Sequence, residues 1–118
     1  MKKKIITGIV SIFALILFLA PGKEDVNYDD FARCLTEQGA VMYGTYWCSH
    51  CKTQKRDFGD SFRLIDYVEC SEYPDVCTEK GIDGFPTWVI DDAQYPGRQS
   101  FSRLSSLTKC KLPKEVNK

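Results

Sequence analysis

The stretch Tyr-Trp-Cys-Ser-His-Cys-Lys at residues 46–52 constrains the fold more than any other part of the chain. It lies where a nearly continuous apolar run, "AVMYGTY" (40–46), gives way to "CSHCKTQKRDF", which has no Gly or Pro and continues as a helix until about Gly59. The apolar run, with its β-branched and aromatic members, reads as a buried strand. A Cys-x-x-Cys at such a strand-to-helix junction puts the first thiol, Cys48, at a helix start. Unpaired backbone N–H groups and the helix dipole favour a thiolate there. The second thiol, Cys51, stands about one turn away and can close a disulfide with the first. His50, the only histidine in the chain, lies between them and can stabilise the Cys48 thiolate by charge or hydrogen bonding.

The N-terminus bears on where such chemistry would take place. Lys2, Lys3 and Lys4 precede an apolar run of 16 residues, Ile5 to Ala20. A bilayer core needs about 20 residues, so residues 1–22 are expected to be a signal peptide or a short membrane anchor. Cleavage after Ala20 would put Phe18 at −3 and Pro21 just past the cut, so retention is the favoured reading. The positive-inside tendency then leaves the rest on the outer face of the membrane, in the periplasm or outside the cell. Residues 23–28 read as a linker, 29–110 as the folded domain and 111–118 as a polar tail.

The net charge of zero conceals an asymmetry. Three of the 16 basic residues lie in the first 22 positions, which hold no acid, leaving 13 basic against 16 acidic side chains. That balance gives no reason to expect nucleic acid as a partner. Six cysteines behind an export signal point to an oxidising compartment, where disulfides would help a domain of this size.

Periodicity gives the remaining elements. "DDFARCLTEQ" (29–38) has Phe31, Cys34 and Leu35 at helical spacing, with Gly39 at the stop. "RLIDYVEC" (63–70) reads as a strand. A short helix with Pro74 near its start and Gly81 at its end follows. "FPTWVI" (85–90) is a strand, 91–97 a turn with a short strand, and 100–107 a helix capped by Ser100. The order α-β-α-β-α-β-β-α implies a parallel pair with a right-handed crossover and a closing antiparallel hairpin. The expected result is an α/β sandwich of about four strands.

Metal binding is the rival use of the cysteine pair. Cys48, Cys51, Cys70 and Cys77 could bind zinc, although a six-residue spacer is wide for a zinc knuckle. Cys48, His50 and Cys51 could hold copper. A purely structural bridge across two residues would gain little chain entropy. The favoured reading leaves the site without a metal.

From about Asp29 to Leu107 the chain resembles the thioredoxin superfamily, in Trp47–Cys51 after a strand and in Phe85–Pro86–Thr87 before a later one. The resemblance implies a thioredoxin-like sandwich, a mixed sheet flanked by helices after the N-terminal apolar helix. It implies a cis Phe85–Pro86 bond and a substrate groove shaped by Trp47, Phe85 and Pro86. Cys48 would be the attacking sulfur, Cys51 the resolving one and His50 the tuning residue. No organic cofactor is expected, because the disulfide itself carries the redox equivalent.

"GAVMYGTYWCSHCKTQKRDFG", "YVEC" and "GFPTWVI…YPGRQS" are similar to the thioredoxin-like domain of bacterial vitamin K epoxide reductase homologues. That implies two partners: cysteine-containing secreted or envelope proteins, and a quinone-linked membrane oxidase of that type. The chain shows one apolar segment and no bundle, so the oxidase is expected to be a separate protein. The pattern departs from typical thioredoxins at Met42, six residues before Cys48, where they carry a buried acid. That loss favours oxidase or isomerase work over reduction.

Cys70 ends a strand and Cys77 lies in the next helix, so a structural disulfide between them is favoured over a second redox pair. Cys34 and Cys110 remain. Their helices usually pack on opposite faces of this fold, so their pairing is left open. Trp88 is expected in the core.

Overall fold

The computed structural model describes residues 26–113; the proposed signal or anchor and most of the polar tail lie outside the described residues. The elements run α1 (Asp29–Glu37), β1 (Val41–Gly44), α2 (Ser49–Phe58), a 3-10 helix (Gly59–Leu64), β2 (Asp66–Glu69), α3 (Pro74–Lys80), β3 (Thr87–Ile90), β4 (Ala93–Pro96) and α4 (Phe101–Thr108). The sheet order is β2-β1-β3-β4. β1 pairs with β2 in parallel, Met42 opposite Tyr67, and with β3 antiparallel, Met42 opposite Trp88. β3 and β4 form the closing hairpin. This four-stranded mixed sheet with flanking helices is a thioredoxin-like α/β fold.

Strand alternation divides the interior in two. Met42, Trp88 and Ile90 point to one face, where they join Phe31 and Leu35 of α1, Cys51 and Phe58 of α2, and Phe101 and Leu104 of α4. Tyr43 and Val89 point to the other, with Cys70 and Cys77. The aromatic packing is dense on the first face: the Phe58 ring is 4.7 Å from that of Phe101 and 6.2 Å from that of Trp88. Each such ring buries a large apolar area, so this face supplies most of the hydrophobic stabilisation.

Two expectations are corrected here. The α1 and α4 helices share a face: Phe31 and Phe101 have ring centroids 5.2 Å apart, and Tyr28 meets Phe101 at 5.0 Å. Cys34 and Cys110 are therefore neighbours and form a disulfide with a Cα–Cα distance of 5.9 Å. Residues 63–65 are not part of a strand. The chain from Gly59 to Leu64 winds into a 3-10 helix that seats Phe62 against Phe58 and Tyr67, and β2 starts only at Asp66. Arg63 in this helix donates to both carboxylate oxygens of Asp29, at 2.9 and 2.7 Å, which fastens the start of α1.

A second disulfide joins Cys70 and Cys77 at a Cα–Cα distance of 5.8 Å, tying the end of β2 to α3. Pro74 opens α3, and Gly81, in the left-handed region at φ 76°, closes it.

Candidate active site

Cys48 is the N-cap of α2, extended at φ −73° and ψ 123°, and its sulfur accepts from the Cys51 backbone N–H at 3.2 Å. Using a sulfur as the cap satisfies one of the otherwise unpaired backbone donors of the first turn. Cys48 and Cys51 are both free thiols. Cys48 retains 9% of its surface, whereas Cys51 retains none. Burial, then its hydrogen bond with Cys48, pushes the Cys51 thiol up to about 12, against an opposing backbone contact from Thr45 and the charge of Lys55. Cys48, itself largely buried, therefore keeps a small opening to solvent, and Cys51 is held protonated behind it.

The opposite wall comes from the start of β3. The Phe85–Pro86 peptide is cis, and the Cys48 thiol donates to the Phe85 carbonyl oxygen at 3.5 Å. Pro86 is buried, and the Phe85 ring stands edge-on to Trp47 with centroids 6.2 Å apart. Trp47 and Tyr46 are 60% and 66% exposed, an apolar rim beside the accessible sulfur. Such exposed aromatics favour contact with a polypeptide over contact with a small polar ligand.

The structure brings Trp47, Cys48, Cys51, Phe85 and Pro86 together. His50 stands apart. It is exposed in the first turn of α2, and among the described residues no hydrogen bond joins it to either thiol. It borders a cleft of about 1550 Å³ with Thr53, Asp57, Arg98 and Phe101, whose walls include neither cysteine nor Pro86. The four-cysteine zinc set is not assembled, because Cys70 and Cys77 are bonded to each other. Among the described residues no group of three or more His, Cys, Asp or Glu side chains is placed to hold a metal ion.

Several residues that matter here carried no signal in the sequence. Gln54 is fully buried on α2. Its carbonyl oxygen accepts from Trp88 Nε1 at 3.0 Å and the Gln99 N–H at 2.7 Å, and its amide donates to the Gln99 carbonyl at 3.1 Å. This network locks the cysteine-bearing helix to β3 and to the loop before α4. Gly44 lies directly behind Cys51: a Cβ there would stand 2.9 Å from the Cys51 sulfur and 3.2 Å from Cε2 of Tyr67. Beside it, the hydroxyl of Thr45 is buried and has no hydrogen-bond partner among the described residues.

No protein-family model matches the chain. Among curated proteins it is similar to the thiol-disulfide oxidoreductase LTO1 of Arabidopsis thaliana, 39% identical over 88 residues, covering 65% of this chain and 23% of that protein. It is also similar to the protein disulfide isomerase-like 2-1 of Oryza sativa subsp. japonica, 32% identical over 79 residues, covering 55% of this chain and 22% of that protein. The chain thus spans less than a quarter of either relative's length. Among solved structures, a thioredoxin from Nicotiana alata aligns with TM-score 0.49 and 18% identity over 62% of this chain and 72% of that one.

Proposed function

We propose that this domain is a protein thiol–disulfide oxidoreductase. The observation that carries the reading is the unequal pair at the start of α2, an accessible sulfur at the cap and a fully buried one a turn behind. The partial similarity to proteins named thiol-disulfide oxidoreductase and protein disulfide isomerase supports it. In the oxidising direction, a substrate thiolate attacks Cys48 of the Cys48–Cys51 disulfide and the electron pair leaves on Cys51. A second substrate thiolate then attacks the mixed disulfide and releases Cys48. Two substrate thiols become a disulfide and the domain becomes a dithiol. In the reducing direction Cys48 attacks and Cys51 resolves. Trp47, Phe85 and Pro86 receive the substrate chain.

Met42 occupies the position where a buried acid would assist reductive turnover, so the reading leans to oxidation or isomerisation in the cell envelope. Secreted or envelope proteins with cysteines are its substrates, and a quinone-linked oxidase of the vitamin K epoxide reductase type regenerates its disulfide. No helix among the described residues is long and apolar enough to cross a membrane.

Oxidised protein mixed with a reduced, unfolded disulfide protein should generate substrate disulfides, and Cys48→Ala should not. Stoichiometric zinc or copper in the purified protein, with no exchange in either direction, would overturn the reading in favour of metal handling. Reoxidation of the dithiol by a vesicle-embedded vitamin K epoxide reductase homologue supplied with quinone tests the partner. No reoxidation removes that partner and leaves the exchange chemistry standing.

A further inference from the structure

Cys51 cannot clear a mixed disulfide as a thiol; its proton must leave before or as its sulfur attacks. Burial opposes that loss and pushes the group up to about 12. Met42 offers no base. A hydroxyl lies across Gly44. The point where a Cβ of residue 44 would stand is 2.9 Å from the Cys51 sulfur and 3.4 Å from the Tyr67 hydroxyl oxygen. The missing side chain lets the phenol end of Tyr67 face the sulfur from β2. The Tyr67 hydroxyl donates to Glu69 Oε1 at 3.1 Å. The other Glu69 oxygen accepts from the backbone N–H and hydroxyl of Ser71, at 3.2 and 2.8 Å. With its own proton directed at Glu69, the phenol oxygen keeps its acceptor capacity free.

We propose that Tyr67 and Glu69 form the proton path of Cys51, in which the Tyr67 oxygen takes the thiol proton, directly or through one water, as its own proton passes to Glu69. The inference rests on the exchange reading above. In the step, the Cys51 S–H bond and the bond between Cys48 and the substrate sulfur break, and the Cys48–Cys51 bond forms. The electron pair leaves on the substrate sulfur, and Glu69, half-buried at the end of β2, passes the proton to solvent. The hydroxyl ends the step protonated, as it began, so no phenolate is needed. Burial, then the Glu69 charge and hydrogen bond, hold Tyr67 above its ordinary value and so disfavour that phenolate. The remaining charged and titratable groups facing this pocket are Cys48 and Lys55. The Lys55 ammonium lies 4.3 Å from the Tyr67 ring centroid and 5.7 Å from that of Phe62, where it favours a developing Cys51 thiolate.

The test isolates the resolving step. Cys48 is charged as a mixed disulfide with thionitrobenzoate, and release of the coloured thiol by Cys51 is followed in a single turnover across pH. Tyr67→Phe keeps the ring that packs on Phe62 and loses only the oxygen; Glu69→Gln keeps the shape and removes the charge. Both should slow release about 10- to 100-fold at neutral pH, toward the low end of general-base effects. Alkylation of Cys48 by iodoacetamide should stay at the wild-type rate in both. Wild-type release in both variants would overturn the proton path. Wild-type protein unable to release thionitrobenzoate at all would instead overturn the exchange reading on which it rests.

Discussion

The Cys48 thiol donates to the Phe85 carbonyl oxygen at 3.5 Å, across the cleft between the start of α2 and the start of β3. That contact orients the accessible sulfur toward the Trp47–Phe85 rim, and Cys51 behind it has no exposed surface. Only one of the two sulfurs can therefore meet a partner. Cys51→Ala should accumulate reductant-sensitive adducts with cysteine-containing proteins, on the order of tenfold more than Cys48→Ala, whose remaining thiol is buried and held protonated. Non-reducing gels with mass spectrometry of the adducts would measure this. Equal trapping by both variants would reverse the roles assigned here.

Much of this arrangement was legible in the residues because it is local. The change from an apolar run to a helical pattern at 46–49 located the Cys48 cap. Gly39 and Gly81, at φ 82° and 76°, stand where the two helix stops were read. What escaped is set by tertiary packing. Periodicity tells which side of a helix is apolar but not which face of the sheet that side covers, so the Cys34–Cys110 bond across 76 positions had no local signature. Phe62, Leu64 and Ile65 extend the apolar pattern of β2 and conceal the 3-10 turn. Gln54 reads as a surface residue of α2 until Trp88 and Gln99 are brought against it. The Tyr67–Glu69 pair looks like ordinary strand alternation, and only its position across Gly44 gives it a site to serve.

The two structural disulfides should differ in worth. On the chain-entropy view a bond stabilises by restricting the unfolded chain, more so for longer loops. The Cys34–Cys110 loop is worth roughly 4–5 kcal/mol and the Cys70–Cys77 loop roughly 2–3 kcal/mol. Paired Cys→Ala variants measured by urea unfolding should fall in that order. Cys70→Ala with Cys77→Ala should keep the exchange rate when folded. Loss of exchange with stability intact would make that pair a redox relay.

Gly44 is required by space. An alanine methyl would enter a gap closed by the Cys51 sulfur at 2.9 Å and the Tyr67 ring at 3.2 Å, so at least one of them must shift. Overpacking of this kind costs about 1–3 kcal/mol. Gly44→Ala should lose about that much stability and slow the Cys51 step more than the alkylation of Cys48, because the displaced atom is the resolving sulfur. Unchanged denaturation would mean that β1 yields at this position at little cost.

Asp29 gives the fold a dependence on acid. Hydrogen bonds from Arg63 and then Ser61 lower its carboxyl from 3.8 to about 2. In the folded protein the group stays ionised down to about pH 2, whereas in the unfolded chain it takes up a proton near its ordinary value. Its stabilising contribution is therefore full above about pH 4 and is lost as pH falls toward 2. Asp29→Asn keeps an oxygen for the Ser61 hydroxyl but gives up the charge facing Arg63. The stability gap between wild type and Asp29→Asn should be constant from pH 6 to about 4 and close progressively by about pH 2. It should also narrow with added salt, because the Arg63 pair is partly exposed. Urea unfolding at a series of pH values measures the gap, and a difference that persists unchanged at pH 2 would show that Asp29 fastens α1 by shape and not by charge.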